Sequence, residues 1–139
     1  MAQFPKSQLA SDIDGGVIVE FALALPVLLL FLFGIISMGL LFWTNIQLSQ
    51  ATYAAARCGA LNQTTCPYAT PSTIQAFAVQ QAVAITNVST SNFTVTTPTN
   101  CGGTTTQQSV KVVASYTFTF LFPSINVTLT PSACYPTQY

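Results

Sequence analysis

Few side chains in this sequence could take part in chemistry. Among 139 residues three are basic, three are acidic and none is histidine. The acids, Asp12, Asp14 and Glu20, all precede residue 21. No Ser/His/Asp or Cys/His arrangement can therefore be assembled, and we expect neither an enzyme nor a bound cofactor. The net charge of zero leaves nothing to neutralise phosphates, so nucleic acid is not expected as a partner either.

The cysteines are the second group of residues that could take part in chemistry. They are Cys58, Cys66, Cys101 and Cys134, all in the later part of the chain. An even number on one side of an apolar segment predicts two disulfides formed in an oxidising compartment. Three pairings are open, and local geometry favours Cys58–Cys66 with Cys101–Cys134. Without a CxxC pair, a metal site is not expected.

Glu20 is the one charged residue between Val17 and Trp43. A carboxylate inside so apolar a helix is costly in lipid, and a partner for it is expected. If the chain were cut between Gly15 and Gly16, a neighbouring subunit's Glu20 could neutralise the new amino terminus and set the register of stacked helices. Alternatively, Glu20 extends to the cytoplasmic headgroups. The chemistry of the residues leaves both interpretations open.

The segment that positions Glu20 is Val17 to Trp43, 27 consecutive residues. As a helix it would be roughly 40 Å long, more than the roughly 30 Å hydrocarbon core of a bilayer. Phe42 and Trp43 end the segment, as is typical of a membrane interface. A signal peptide has a shorter apolar core, of roughly 7–15 residues, and a small-residue cleavage site, which is missing here. The pattern predicts a membrane-spanning helix.

We expect this helix to continue past the membrane, over about residues 16–58, within a segment 16–60 that serves for both anchoring and assembly. Pro26 removes one backbone hydrogen bond and predicts a kink. Small residues that would allow close helix-to-helix approach are Gly34, Ser37 and the pairs Ala51–Ala55 and Ala56–Ala60. Residues 1–15, which are short and polar, are expected to be a flexible flank.

The remaining residues, 61–139, are predicted to form a small disulfide-stapled head. Helical spacing predicts a second helix over Ile74–Thr86, and alternation predicts strands over residues 92–97, 110–122 and 125–129. The fold class expected is α+β: one long N-terminal membrane-spanning helix, then a head with a second helix and an antiparallel sheet of about three strands.

The N-terminal residues also resemble a known family. Gly15, then Glu20-Phe21, then ALALPVLLLFLFGIISMG beginning at Ala22 are similar to the TadE-like pseudopilins of the tight-adherence (Tad) pilus system, a branch of the type IV filament superfamily. The resemblance implies a pilin-like fold and cleavage between Gly15 and Gly16 by a prepilin peptidase. It also implies that Glu20 and Phe21 take part in assembly.

The resemblance further implies a cytoplasmic leader at residues 1–15 and an inner-membrane helix, with the head in the periplasm or on an extracellular pilus. The function expected is that of a structural subunit, either a minor pseudopilin or a filament subunit. Its partners would be copies of itself or other pilins, the membrane, the peptidase and the inner-membrane pilus platform. Two alternatives stay open: an uncleaved membrane-anchored assembly factor, and an anchored adhesive binding module.

Overall fold

The computed structural model describes residues 11–101, 108–120 and 125–137. The elements in chain order are α1 (Ser11–Leu61), α2 (Pro71–Gln81), a short 3₁₀ helix (Thr90–Asn92), β1 (Phe93–Thr99), β2 (Ser109–Ala114), β3 (Tyr116–Thr119), β4 (Asn126–Leu129) and β5 (Ser132–Pro136). The long apolar helix, the second helix and the antiparallel strands confirm the α+β, pilin-like class. The chain divides into two compact units, residues 1–37 and residues 38–139.

Helix α1 is longer than predicted at both ends. It begins at Ser11 rather than Gly16 and ends at Leu61 rather than Cys58. Five residues of the flank that was expected to be flexible, 11–15, are therefore helical, whereas residues 1–10 lie outside the described part. The helix continues through Pro26 without interruption.

The first unit leaves its apolar side chains uncovered. From Val17 to Ile36 every large apolar side chain is exposed, on all sides of the helix. The helix is long and apolar enough to cross a membrane, and only 6 % of its most apolar window is buried within the protein. A core helix of a soluble domain would be covered on at least one side, so this segment requires lipid or other chains around it.

In the second unit one face of α1 is buried against the rest of the chain. Its buried residues are Leu48, Ala51, Thr52, Ala55, Ala56 and Ala60. Next to them, a Cβ added at Gly59 would lie 2.7 Å from Cδ1 of Ile74 and 3.3 Å from Cγ1 of Val110. The small residues thus let α1 approach α2 and β2 of the same chain. The alanine pairs are buried within the chain itself, on the same face of α1 as its contact with helix α2. Close approach of a helix from another chain to the rest of α1 stays a prediction.

The strands form two sheets. The first has the order β1-β2-β5, is antiparallel throughout, and aligns Val112 with Val95 on one side and Ala133 on the other. Its inner face supplies buried core residues, including Phe93 and Val110, which belong to the same core as Ile74 of α2. The second sheet contains β3 and β4.

The single strand predicted over residues 110–122 is divided at Ser115. The amide of Ser115 donates to the carbonyl of Asn92 at 2.7 Å, and the Asn92 side-chain amide donates back to the Ser115 carbonyl at 2.9 Å. The amide of Ala114 donates to the carbonyl of Pro131 at 2.9 Å. These bonds end the pairing of β2 with β1 and direct the chain into the second sheet. Residues 121 and 122 lie outside the described part.

Helix α2 and the last strand also differ from expectation. The predicted helix Ile74–Thr86 is instead Pro71–Gln81, since Pro71 suits the first helical turn. The amide of Ala82 is shared between the carbonyls of Ala78 and Val79, which closes the helix five residues early. Alternation did not predict β5, because prolines interrupt the pattern on both sides of this short strand.

Candidate functional site

The predicted assembly residues lie on the exposed first unit. Gly15 and Gly16 are the fifth and sixth residues of α1. The side chains of Glu20 and Phe21 are exposed, Phe21 by 64 %. In the described residues the basic side chains are Arg57 and Lys111, both in the second unit. The described part of the first unit therefore offers the Glu20 carboxylate no positive partner.

A proline and two glycines affect the backbone and the surface of this helix. Proline has no backbone N–H, so Pro26 cannot donate to the carbonyl four residues before it, although the helix continues. The kink at this position stays a prediction. A Cβ added at Gly16 or Gly34 would meet no other atom within 4 Å, so the surface around these glycines is open to a neighbouring helix or to lipid.

Both disulfides of the favoured pairing are present. Cys58, in the last turn of α1, is bonded to Cys66, and Cys101, which follows β1, is bonded to Cys134 in β5. In each pair the Cα atoms are 5.6 Å apart. The first disulfide joins the end of α1 to the loop that follows it. The second joins the two outer strands of the first sheet, β1 and β5, at one end.

The loop closed by the first disulfide is also held by hydrogen bonds. The Asn62 side-chain oxygen accepts from the amides of Thr64 and Thr65, both at 3.1 Å. The amide of Cys66 donates to the carbonyl of Asn62 at 3.0 Å, and Cys66 is fully buried. The disulfide and these hydrogen bonds thus hold the loop against the end of α1.

Charge is distributed unevenly along the chain. The acids lie at residues 12, 14 and 20, while the described head and the adjoining half of α1 carry only Arg57 and Lys111, both exposed. Arg57 lines a shallow pocket of about 390 Å³ at the end of α1. Among the described residues no cluster of histidine, cysteine, aspartate or glutamate could hold a metal ion. The arrangement suits contact with other chains or with lipid.

One surface was missed by sequence reasoning. An open groove of about 590 Å³ lies between α1 and the second sheet. It is lined by Leu40, Thr86, Asn87, Asn92 and the four residues of β3, Tyr116 to Thr119. The Tyr116 hydroxyl donates to the carbonyl of Thr86 at 3.2 Å across one side of it. The groove depends on the division of the strand at Ser115, for which the alternating pattern gives no signal.

Comparison with known proteins agrees with the N-terminal resemblance. The family model described as "TadE-like protein" matches residues 15–57, from the predicted cleavage position to the last turns of α1. The resemblance predicted from the sequence is confirmed over this segment, which is less than half of the chain. No curated protein and no solved structure gave a significant match.

The matched segment has a definite functional association. TadE-like proteins are a pilus-associated structural family rather than a family of enzymes, and the match associates this chain with the Tad pilus, its components, and a membrane or pilus location. The match covers the whole exposed apolar segment of α1 and ends where the disulfide-bonded head begins.

Proposed function

We propose that the protein is a pilin-like structural subunit of a Tad pilus, either a minor pseudopilin or a filament subunit, that assembles by packing of its N-terminal helix. The observation that carries the proposal is the uncovered helix from Val17 to Ile36, apolar on all sides and interrupted by one carboxylate at Glu20. Such a helix is stable when lipid or other apolar helices surround it.

Processing between Gly15 and Gly16 is part of this proposal. The family match begins at residue 15, and two adjacent glycines weaken the helix there by about 2 kcal/mol relative to alanine. A peptide bond must leave the helical conformation to enter a protease site, and the two glycines lower the cost of opening the helix at this point. Cleavage would create an ammonium group four residues before Glu20, for which the Glu20 of a neighbouring subunit is the proposed partner.

The location follows from the same arrangement. Residues 1–15 would stay in the cytoplasm, α1 would cross the inner membrane, and the head would lie in the periplasm or on the pilus, where its two disulfides are stable. The prepilin peptidase and the inner-membrane platform are the proposed transient partners.

The test is the intact mass and N-terminal sequence of the native protein from membrane and from sheared-filament fractions. A start at Gly16 in sheared material is the expected result. A start at Met1, found only in the membrane fraction, would refute the proposal in favour of the uncleaved assembly factor. If sheared material contains no protein and a soluble head fragment binds surfaces unaided, the adhesive module is the better account.

A further inference from the structure

The two sheets of the head are joined along one antiparallel ribbon. Val113 lies opposite Ser132 and Tyr116 lies opposite Leu129, so the register continues without a bulge from the β2–β5 pair to the β3–β4 pair. β1 adds a third strand beside β2 only, and its pairing ends opposite Ala114. Along β3 the same edge of the ribbon has no neighbouring strand among the described residues.

Half of the backbone groups of β3 are left unpaired by β4. In an antiparallel pair, residues that exchange hydrogen bonds alternate with residues that do not. The amide of Phe120 donates to the carbonyl of Ile125, directly opposite, at 3.0 Å. The residues two and four positions before Phe120 therefore also bond to β4, whereas the residues between them, Thr117 and Thr119, do not.

The bonds of Ser115 show which way these groups point. Ser115 alternates in step with Thr117 and Thr119, and both its amide and its carbonyl bond to Asn92, which precedes β1. The amides and carbonyls of the two threonines consequently point to the same side, where the structure describes no partner for them. The two sets are about 6.7 Å apart, which is the spacing that a second extended chain requires.

A groove, rather than a covering element, lies beside this edge. Its volume is about 590 Å³, and its lining belongs entirely to the second unit. Leu40 of α1, which is 55 % exposed, gives it an apolar wall, and none of its lining residues is charged. Exposed edge strands are usually protected by a charge, a proline or a bulge. β1 and β5 contain Pro98 and Pro136, whereas β3 contains none of these devices.

We propose that the groove beside β3 is a docking site for an extended segment of a second protein chain, which adds to the ribbon as a strand in line with β1. Backbone hydrogen bonds to Thr117 and Thr119 hold this segment. Its residues opposite the two exposed threonines face solvent, and the residues between them face Leu40 and the partly buried rings of Tyr116 and Phe118. The segment is therefore uncharged, with alternating polar and apolar side chains. This inference depends neither on cleavage nor on pilus assembly.

Backbone amide hydrogen exchange, measured by NMR on the full chain in detergent micelles, tests the site. The probe is a short, uncharged, end-blocked peptide of alternating threonine and valine. Saturating peptide should slow the exchange of the Thr117 and Thr119 amides by about tenfold or more, because each gains a hydrogen bond. The amide of Thr128 is the internal reference, since Thr128 lies opposite Thr117 and its amide points to the far edge of β4. The same peptide N-methylated throughout should have no effect.

A matched pair of proline variants tests the same edge by mutation. Thr117→Pro removes an N–H that faces the groove but none that bonds to β4, so it should weaken binding of the dye-labelled peptide by about tenfold or more in fluorescence anisotropy. Thr128→Pro makes the same change on the opposite strand and should leave binding unchanged. Leu40→Gln keeps the strand intact, removes the apolar wall and should weaken binding several-fold. Near-ultraviolet circular dichroism verifies the fold of each variant.

Three results would overturn the proposal. Slow exchange of the Thr117 and Thr119 amides before peptide is added would mean that the chain itself covers the edge. Equal slowing at Thr128 would mean that the peptide pairs with any open edge rather than with the groove. Binding that both Thr117→Pro and Leu40→Gln leave unchanged would place the peptide elsewhere. None of these results bears on the processing or filament tests of the proposed function, so the two can fail separately.

Discussion

Gly59 gives the sharpest test of how α1 is packed into the head. In Gly59→Ala the new Cβ would lie 2.7 Å from Cδ1 of the fully buried Ile74. Overpacking of this kind lowers the stability of the folded state by roughly 1–3 kcal/mol. Replacing glycine by alanine within a helix raises it by about 1 kcal/mol. We expect the free energy of unfolding to fall by about 1 kcal/mol when these two effects are combined.

A second substitution isolates the steric part of this effect. Ile74→Val removes the Cδ1 atom and by itself should cost about 1 kcal/mol. In the double variant the closest contact is gone and the helical gain of Gly59→Ala remains, so its stability should return close to that of the unaltered protein. The coupling between the two substitutions is then about 2 kcal/mol in favour of the double variant, within the range expected for residues in contact.

The assay is denaturant unfolding of the full chain in detergent micelles, followed by the near-ultraviolet circular dichroism of the head's tyrosines. Gly39→Ala is the matched control, because a Cβ there meets no atom within 4 Å and the head should keep its stability. If Gly59→Ala instead raised stability by about 1 kcal/mol, as at a solvent-exposed helix position, the close packing of α1 on α2 would be refuted.

Two further predictions concern assembly and the disulfides. Glu20→Gln should leave membrane insertion and cleavage intact but remove the protein from sheared filaments, as measured by blotting both fractions; undiminished filaments would contradict the role of the carboxylate. Replacing Cys101 and Cys134 by serine should lower the free energy of unfolding by about 4 kcal/mol, against about 2.5 kcal/mol for Cys58 and Cys66, because the sequence separations are 33 and 8. Equal losses in matched denaturation curves would contradict this ordering.

The sequence was most informative where a single physical property decides the structure. The apolar segment of α1 was predictable because a bilayer imposes length and composition on each span independently of the rest of the fold. The Cys58–Cys66 pair was favoured for a similarly local reason, since eight residues of sequence separation keep its partners close. The family resemblance around Gly15 and Glu20 was likewise recognisable because its residues lie within one short stretch of the sequence.

Features that depend on distant partners were not predictable. Alternation continues across Ser115, and the division of the strand there is decided by hydrogen bonds with Asn92, 23 residues earlier in the chain. The alanine pairs of α1 have the spacing that suits either another helix or the chain's own sheet, and periodicity does not distinguish these partners. The groove beside Leu40 follows from both features, so sequence reasoning had no means to find it.

The exposure of α1 also restricts how a subunit could leave the membrane under the proposed function. Burying a large apolar side chain is worth roughly 2 kcal/mol, so exposing to water the fifteen such side chains between Val17 and Ile36 would cost about 30 kcal/mol. Exchanging lipid for apolar helices costs far less, because both surround the segment with similar chemistry. Extraction must therefore pass each helix directly from lipid to neighbouring helices, and contact with a second subunit has to begin while α1 is still in the bilayer.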